Sequence, residues 1–258
     1  MVPSPRMGLL DGRIALVTGA SRGFGKAIAL AYGREGADVV ANYHATADGA
    51  AEVVKALEAL GRRAYAIRAD VSREDDVKSL LDATLSRFGR LDVLVNNAGV
   101  MDRGMFADTP VDTYTRMFAI NVRGTMLCTH YALQPMIAQR YGRILNMSSQ
   151  LARANVGTGG FAGYAATKGA IESFTRAMAH EVGGHGITVN ALAPGGIDTD
   201  MSKSVMTPEY RARRIAELPV HRLGTLDDLA YCAVFLAAEA SGYLTGQTLQ
   251  PNGGWVMA

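Results

Sequence analysis

The chain has 258 residues, 48% hydrophobic and 19% charged, with a formal net charge of +2. So small a charge points away from nucleic acid or an acidic membrane surface as partner, and no apolar run reaches the ~18 residues of a membrane span. Cys128 and Cys232 lie in apolar helical patterns and read as buried thiols of a reducing, cytoplasmic setting.

In chain order, residues 1–10 carry Pro3 and Pro5 without an apolar signal core and read as a loose N-terminal extension. Residues 11–258 read as one domain, a size that α/β folds commonly reach. Seven strands are expected at 14–17, 38–42, 64–68, 91–95, 143–147, 187–191 and 247–250. Several are apolar throughout, as strands covered on both faces are. Helices are expected at 24–35, 48–60, 73–88, 111–138, 162–183 and 226–239, with Ser72 and Thr225 as N-caps ahead of acidic residues. This alternation predicts an α/β fold, a single Rossmann-type doubly wound domain with a seven-stranded parallel sheet between helices. The segment 197–219 holds polar, basic and Met residues and reads as a small substrate lid, with Met201, Val205 and Met206 as its soft apolar lining.

The first strand runs into Thr18-Gly19-Ala20-Ser21-Arg22-Gly23-Phe24-Gly25, and a helix follows. Glycines there let a backbone approach a pyrophosphate, and the helix N-terminus offers free N–H groups. An adenosine ribose with free hydroxyls is usually held by a carboxylate at the end of the second strand. That end reads Asn42-Tyr43-His44-Ala45-Thr46 and has none. Arg22 can instead pair with a 2′-phosphate, with Asn42, His44 and Thr46 adding hydrogen bonds, so NADP(H) is favoured while NAD(H) stays open. Asp70 and Val71 end the third strand, facing the adenine; Asn97, Ala98 and Gly99 end the fourth, where small residues let a ribose lie close.

Tyr164 and Lys168 stand one helical turn apart and share a helix face. A phenol titrates near ~10, and an ammonium ~4 Å away is worth roughly 4 kcal/mol, or about 3 pKa units, toward neutrality. The pair is therefore a candidate for proton transfer beside a nicotinamide.

The full set, Thr18 to Gly25, Asn96 to Gly99, Asn121, Ser149, Tyr164 with Lys168, and Pro194-Gly195-Gly196-Ile197-Asp198-Thr199, resembles the short-chain dehydrogenase/reductase family over about residues 11–256. The close of the chain, Gly246 to Trp255, is similar to the 3-oxoacyl reductase branch of that family. The resemblance implies that Tyr164 donates a proton to a carbonyl oxygen, that Lys168 lowers the phenol pKa and holds the nicotinamide ribose, and that Ser149 (or Ser148) holds the substrate oxygen. It further implies a water at Asn121, and cofactor contacts at Pro194, Gly195, Ile197 and Thr199. The expected function is NADPH-dependent reduction of a small-molecule ketone, either a 3-oxoacyl thioester or a cyclic ketone. The alternatives are an alcohol or sugar dehydrogenase running in the oxidative direction and a catalytically silent binding protein on the same fold. For an acyl-thioester on a carrier protein, Arg140 fills one of two basic positions but His185 stands at the other. Broad apolar faces on helices 111–138 and 162–183, including Met126, Leu127, Phe174 and Met178, with the tail Trp255 to Met257, predict a homotetramer.

Overall fold

In the computed structural model, which describes residues 8–153, 159–199 and 207–257, seven parallel strands form one sheet in the order β3-β2-β1-β4-β5-β6-β7. They are β1 (Ile14–Val17), β2 (Asp38–Tyr43), β3 (Ala64–Arg68), β4 (Val93–Asn96), β5 (Gly142–Met147), β6 (Ile187–Leu192) and β7 (Thr248–Leu249). The helices between them are α1 (Gly23–Arg34), α2 (Ala47–Ala59), α3 (Glu74–Phe88), α4 (Val111–Phe118), α5 (Gly124–Ala138), α6 (Ala162–Val182), α7 (Pro208–Glu217) and α8 (Leu226–Ala237).

Strand periodicity sorts the core into two layers. Ala15 and Val17 of β1 face Ile28, Val53, Leu57 and Leu229, from α1, α2 and α8. Leu16, between them, faces Leu80, Leu81, Ala132 and Met178, from α3, α5 and α6. Each fully buried aliphatic side chain contributes roughly 1.5–3 kcal/mol, so both faces of the sheet must be covered. The buried Tyr32 hydroxyl donates to the Ala233 carbonyl at 3.1 Å, tying α1 to α8. Thr225 caps α8 through a capping box with Asp228.

Several expectations change. Ser72 is not a cap: its hydroxyl and amide both donate to Asp70 Oδ1, at 2.7 and 2.9 Å, and α3 starts two residues later. The 111–138 helix is interrupted by one wide π turn, Ala119–Arg123, an irregularity frequent at functional sites. Residues 9 and 10 are anchored, the Leu9 amide on the Glu35 carboxylate at 2.9 Å and Leu10 wholly buried, so the expected extension cannot be loose there. Met178 packs inside the core of the chain, where the sequence reading expected an outward face. In the 197–219 segment, Ile197 bridges Gly224 and Arg211 pairs with Asp198 at 2.6 Å, so the excursion returns to its starting point. Met201, Val205 and Met206 lie outside the described residues.

Candidate active site

The strand order reverses between β1 and β4, and there, beyond the carboxyl ends of the strands, a cleft of about 1140 Å³ opens. This is where doubly wound sheets bind ligands. The glycine turn forms one end. Gly19 and Gly23 have φ of +63° and +55°, and a Cβ on Gly25 would lie 2.4 Å from the Gly19 carbonyl oxygen. Side chains are excluded there by geometry. No side chain caps α1, so its first amides remain free beside the cleft, a cradle that fits a dinucleotide pyrophosphate.

The turn is braced from behind. The Thr18 hydroxyl accepts the Asn97 and Ala98 amides at 2.9 and 3.0 Å, and the Asn97 side-chain amide donates to the Thr18 and Gly19 carbonyls at 2.8 and 3.1 Å. Asn42 accepts the Gly19 amide at 3.2 Å and donates to the Ala69 carbonyl at 3.1 Å. At 1% exposure, with both ends of its amide spent, Asn42 holds the turn and has no hydrogen-bond donor left for a 2′-phosphate, contrary to the sequence expectation. Tyr43 does not line the cleft, because strand alternation sends it to the other face. Ser21, Arg22, Phe24, His44 and Thr46 do line it. Arg22 is exposed, and its side chain makes no hydrogen bond or ion pair among the described residues.

Asp70, Val71, Ala98 and Gly99 form the next stretch of wall. Partial burial pushes the Asp70 carboxyl up, but the Ser72 hydroxyl and amide, with His44 and Arg73, outweigh it and hold it below the usual range.

At the far end, Tyr164, half-buried, has the Ser149 side chain as its polar neighbour. Burial pushes the phenol up to about 12, the Ser149 hydroxyl acting in the opposite direction. Lys168 is 5% exposed and donates to the Met147 carbonyl at 2.6 Å. Its Nζ stands 5.5 Å from the Tyr164 ring centre, and burial alone brings its pKa down to about 8. The expected pull of the ammonium on the phenol is therefore not what sets this tyrosine; desolvation outweighs it. Asn121 lies on the π turn, with its side chain donating to the Val100 carbonyl at 2.9 Å and the Thr167 hydroxyl at 3.1 Å, and accepting the Val100 amide at 2.8 Å. Both of its N–H groups are thus committed to protein partners. Pro194, Gly195, Ile197 and Thr199 close the cleft opposite.

The two serines separate cleanly. Ser148 donates to the Lys168 carbonyl at 3.3 Å and to Glu172 Oε1 at 3.1 Å, and Glu172 pairs with Arg153 at 2.7 Å. Ser149 has no such partners: its side chain accepts the Leu151 amide at 3.2 Å and lies next to the phenol. Sequence reading missed Glu172, although it stands one turn beyond Lys168 on the same helix face, and it missed the wall residues Gln150, Arg103 and Arg214. Among the described residues no group of three or more His, Cys, Asp or Glu could hold a metal ion, and no helix is long and apolar enough to cross a membrane.

A family model described as enoyl-(acyl carrier protein) reductase matches residues 19–256. The chain is 39% identical to the 3-oxoacyl-(acyl-carrier-protein) reductase FabG of Staphylococcus aureus over 243 residues, 94% of this chain and 98% of that protein. Among solved structures, a 7α-hydroxysteroid dehydrogenase complexed with NADH and 7-oxo glycochenodeoxycholic acid superposes with a TM-score of 0.92 at 36% identity, covering 98% of each chain. A gluconate 5-dehydrogenase from Burkholderia cenocepacia, in complex with NADP and tartrate, gives 0.89 at 32% identity, covering 95% of this chain and 96% of that one.

Proposed function

The chain belongs to the short-chain dehydrogenase/reductase family and is an oxidoreductase acting on CH–OH or ketone groups, and on that premise we propose that it is an NADPH-dependent ketoreductase. The observation that carries this reading is that Ser149, Tyr164 and the buried Lys168 line the same cleft as the glycine turn. The glycine turn and the α1 amides would hold the pyrophosphate, Arg22 and Thr46 the 2′-phosphate, and Lys168 the nicotinamide ribose. When bound, the dinucleotide supplies the hydride. Ser149 would orient the substrate carbonyl, and its O–H would stabilise the developing alkoxide. Tyr164, with its pKa at about 12, is protonated at neutral pH and so is loaded to give its phenolic proton to that oxygen. Lys168, drawn down to about 8, is able to return a proton. The backbone at Asn121, loosened by the π turn, would seat a water that refills this relay.

A second reading, oxidation of an alcohol or sugar, is favoured by the likeness to gluconate 5-dehydrogenase. In that direction the same Tyr164 would accept the proton, so the direction follows the cofactor ratio and the two readings part at the substrate. Substrates of the first reading range from 3-oxoacyl thioesters to cyclic ketones. The carrier-protein version is weakened by Arg140, which donates to the Gly184 carbonyl at 3.2 Å beside His185. The same reading includes a homotetramer, for which Met126, Tyr231 and Phe235 offer exposed apolar surface, and a cytoplasmic location, which suits two free cysteines. The test is a panel of 3-oxoacyl thioesters, cyclic ketones and α-diketones with NADPH and with NADH, following cofactor absorbance. Turnover with NADPH supports the reading. Turnover only of alcohols with an oxidised cofactor would replace it by the second.

A further inference from the structure

Arg214 is a charged residue of the cleft to which carbonyl reduction assigns no task. It lies near the end of α7, 8% exposed, in the same wall as Leu218 and Leu223. Its guanidinium carbon is 3.5 Å from the centre of the Trp255 ring, so the indole backs one face of the cation. Among the described residues its single ion pair is with Glu217 Oε2 at 3.4 Å. The other oxygen of that carboxylate stands 3.8 Å from Arg213. A guanidinium has five N–H donors in a planar fork. Among the described residues, one long bond to a carboxylate shared with a second arginine is all that this fork has found.

A desolvated cation bonded so sparsely is a receptor for an anion. The rest of the cleft has the same sign. Asp70, at the β3 end, is the one carboxylate among the described residues that line it, while Arg103, Arg116, Arg213 and Arg214 also line it, Arg116 standing 3.5 Å from Asp102 and Arg213 3.8 Å from Glu217. Arg103 is exposed, with its guanidinium 5.1 Å from the Phe161 ring centre. Such a one-signed cleft raises the local concentration of anionic ligands.

The geometry points to an anion subsite at Arg214, backed by Trp255: the substrate carries a carboxylate or phosphate that Arg214 holds while its ketone lies at Ser149 and Tyr164. This deepens the ketoreductase reading and rests on it for the ketone. The anion itself rests on Arg214 alone. A phosphate of the dinucleotide is the other source of the same chemistry, and the experiment separates the two.

Trp255 is the only tryptophan of the chain, so its fluorescence reports on this stack without any turnover. The NADP⁺-loaded enzyme, which cannot reduce a ketone, is titrated with short 3-oxo and 4-oxo acids, with their methyl esters and with inorganic phosphate. Acids or phosphate should shift the emission saturably, with half-saturation at least tenfold lower for the acids than for the esters. Arg214→Met should abolish that preference, and Arg214→Lys should retain part of it. NADP⁺ affinity, measured by calorimetry, should change by less than about threefold in both variants. No shift with any anion, or equal shifts for acids and esters in the wild type, would overturn the subsite. A tenfold loss of NADP⁺ affinity in Arg214→Met would assign the anion to the cofactor and overturn the substrate assignment. The wild-type comparison decides even if a variant does not fold. Failure of the ketoreductase reading would show separately, as absence of NADPH oxidation with every ketone while the Trp255 titration still reports the anion.

Discussion

Replacing Lys168 with Met should flatten the dependence of stability on pH that the wild type shows between about pH 7 and 9.5. Lys168 is 5% exposed, and burial lowers its pKa from 10.5 to about 8. Its folded pKa lies below its unfolded one, so the unfolded chain binds more protons across that interval and stability rises with pH. With these two values the rise from pH 7 to 9.5 is about 2 kcal/mol. The Met147 carbonyl, accepting from the ammonium at 2.6 Å, favours the charged form, so this figure is a ceiling. Tyr164 does not interfere. Its folded pKa is raised from 10 to about 12, so its contribution is complete below pH 10 and is lost only as pH climbs through 12. Urea unfolding of wild type and Lys168→Met at both ends of the interval, followed by circular dichroism, measures the effect, and groups common to both proteins cancel in the difference. Parallel pH profiles would show that the lysine is not desolvated as its burial implies.

Four further outcomes are expected. Tyr164→Phe should drop ketone reduction below a tenth of wild type while cofactor titration stays unchanged; retained turnover would remove the tyrosine from the proton path. Arg22→Ala should weaken NADPH binding about tenfold more than NADH binding, since a charge-assisted contact of this kind is lost only from the phosphorylated ribose; equal losses would mean that Arg22 merely shapes the turn. Gly25→Ala, whose Cβ would stand 2.4 Å from the Gly19 carbonyl, should abolish cofactor binding with the far-ultraviolet dichroism preserved, and binding within twofold of wild type would contradict the cradle geometry. Light scattering should give a mass four times the 27.4 kDa of one chain, and a monomer peak at micromolar concentration would refute the tetramer.

The periodic parts of the molecule were legible in the sequence. Tyr164 and Lys168 lie together because helical spacing is local, and the glycine turn announces itself because strand, glycines and helix are contiguous. Residues that act through distant partners were not legible. Asn42 reads as a ligand contact until its amide is seen bridging Gly19 and Ala69. Ser72 matches the cap pattern, yet Asp70 competes successfully for both its donors, as short polar side chains near a turn often do. The pKa of Tyr164 cannot be read from charge spacing alone, because desolvation, which a sequence does not display, pushes it the other way. Arg214 and Trp255 meet only through the return of the chain after β7, far beyond any local pattern.

The bracing of the glycine turn separates two tasks that a sequence motif runs together. Thr18, Asn42 and Asn97 spend their hydrogen bonds on the backbone of the turn and on neighbouring strands. Its shape is therefore preorganised, and a dinucleotide entering the cleft has little to order there. The side chains at the 2′ end are attached quite differently: Arg22 hangs free, Thr46 heads α2 without capping it, and the His44 ring stands 3.8 Å from the Asp70 carboxylate. Exchanging them disturbs nothing that holds the turn. A lineage, or an engineer, can retune the preference between phosphorylated and unphosphorylated dinucleotide at these surface positions while Asn42 and Asn97 stay in place.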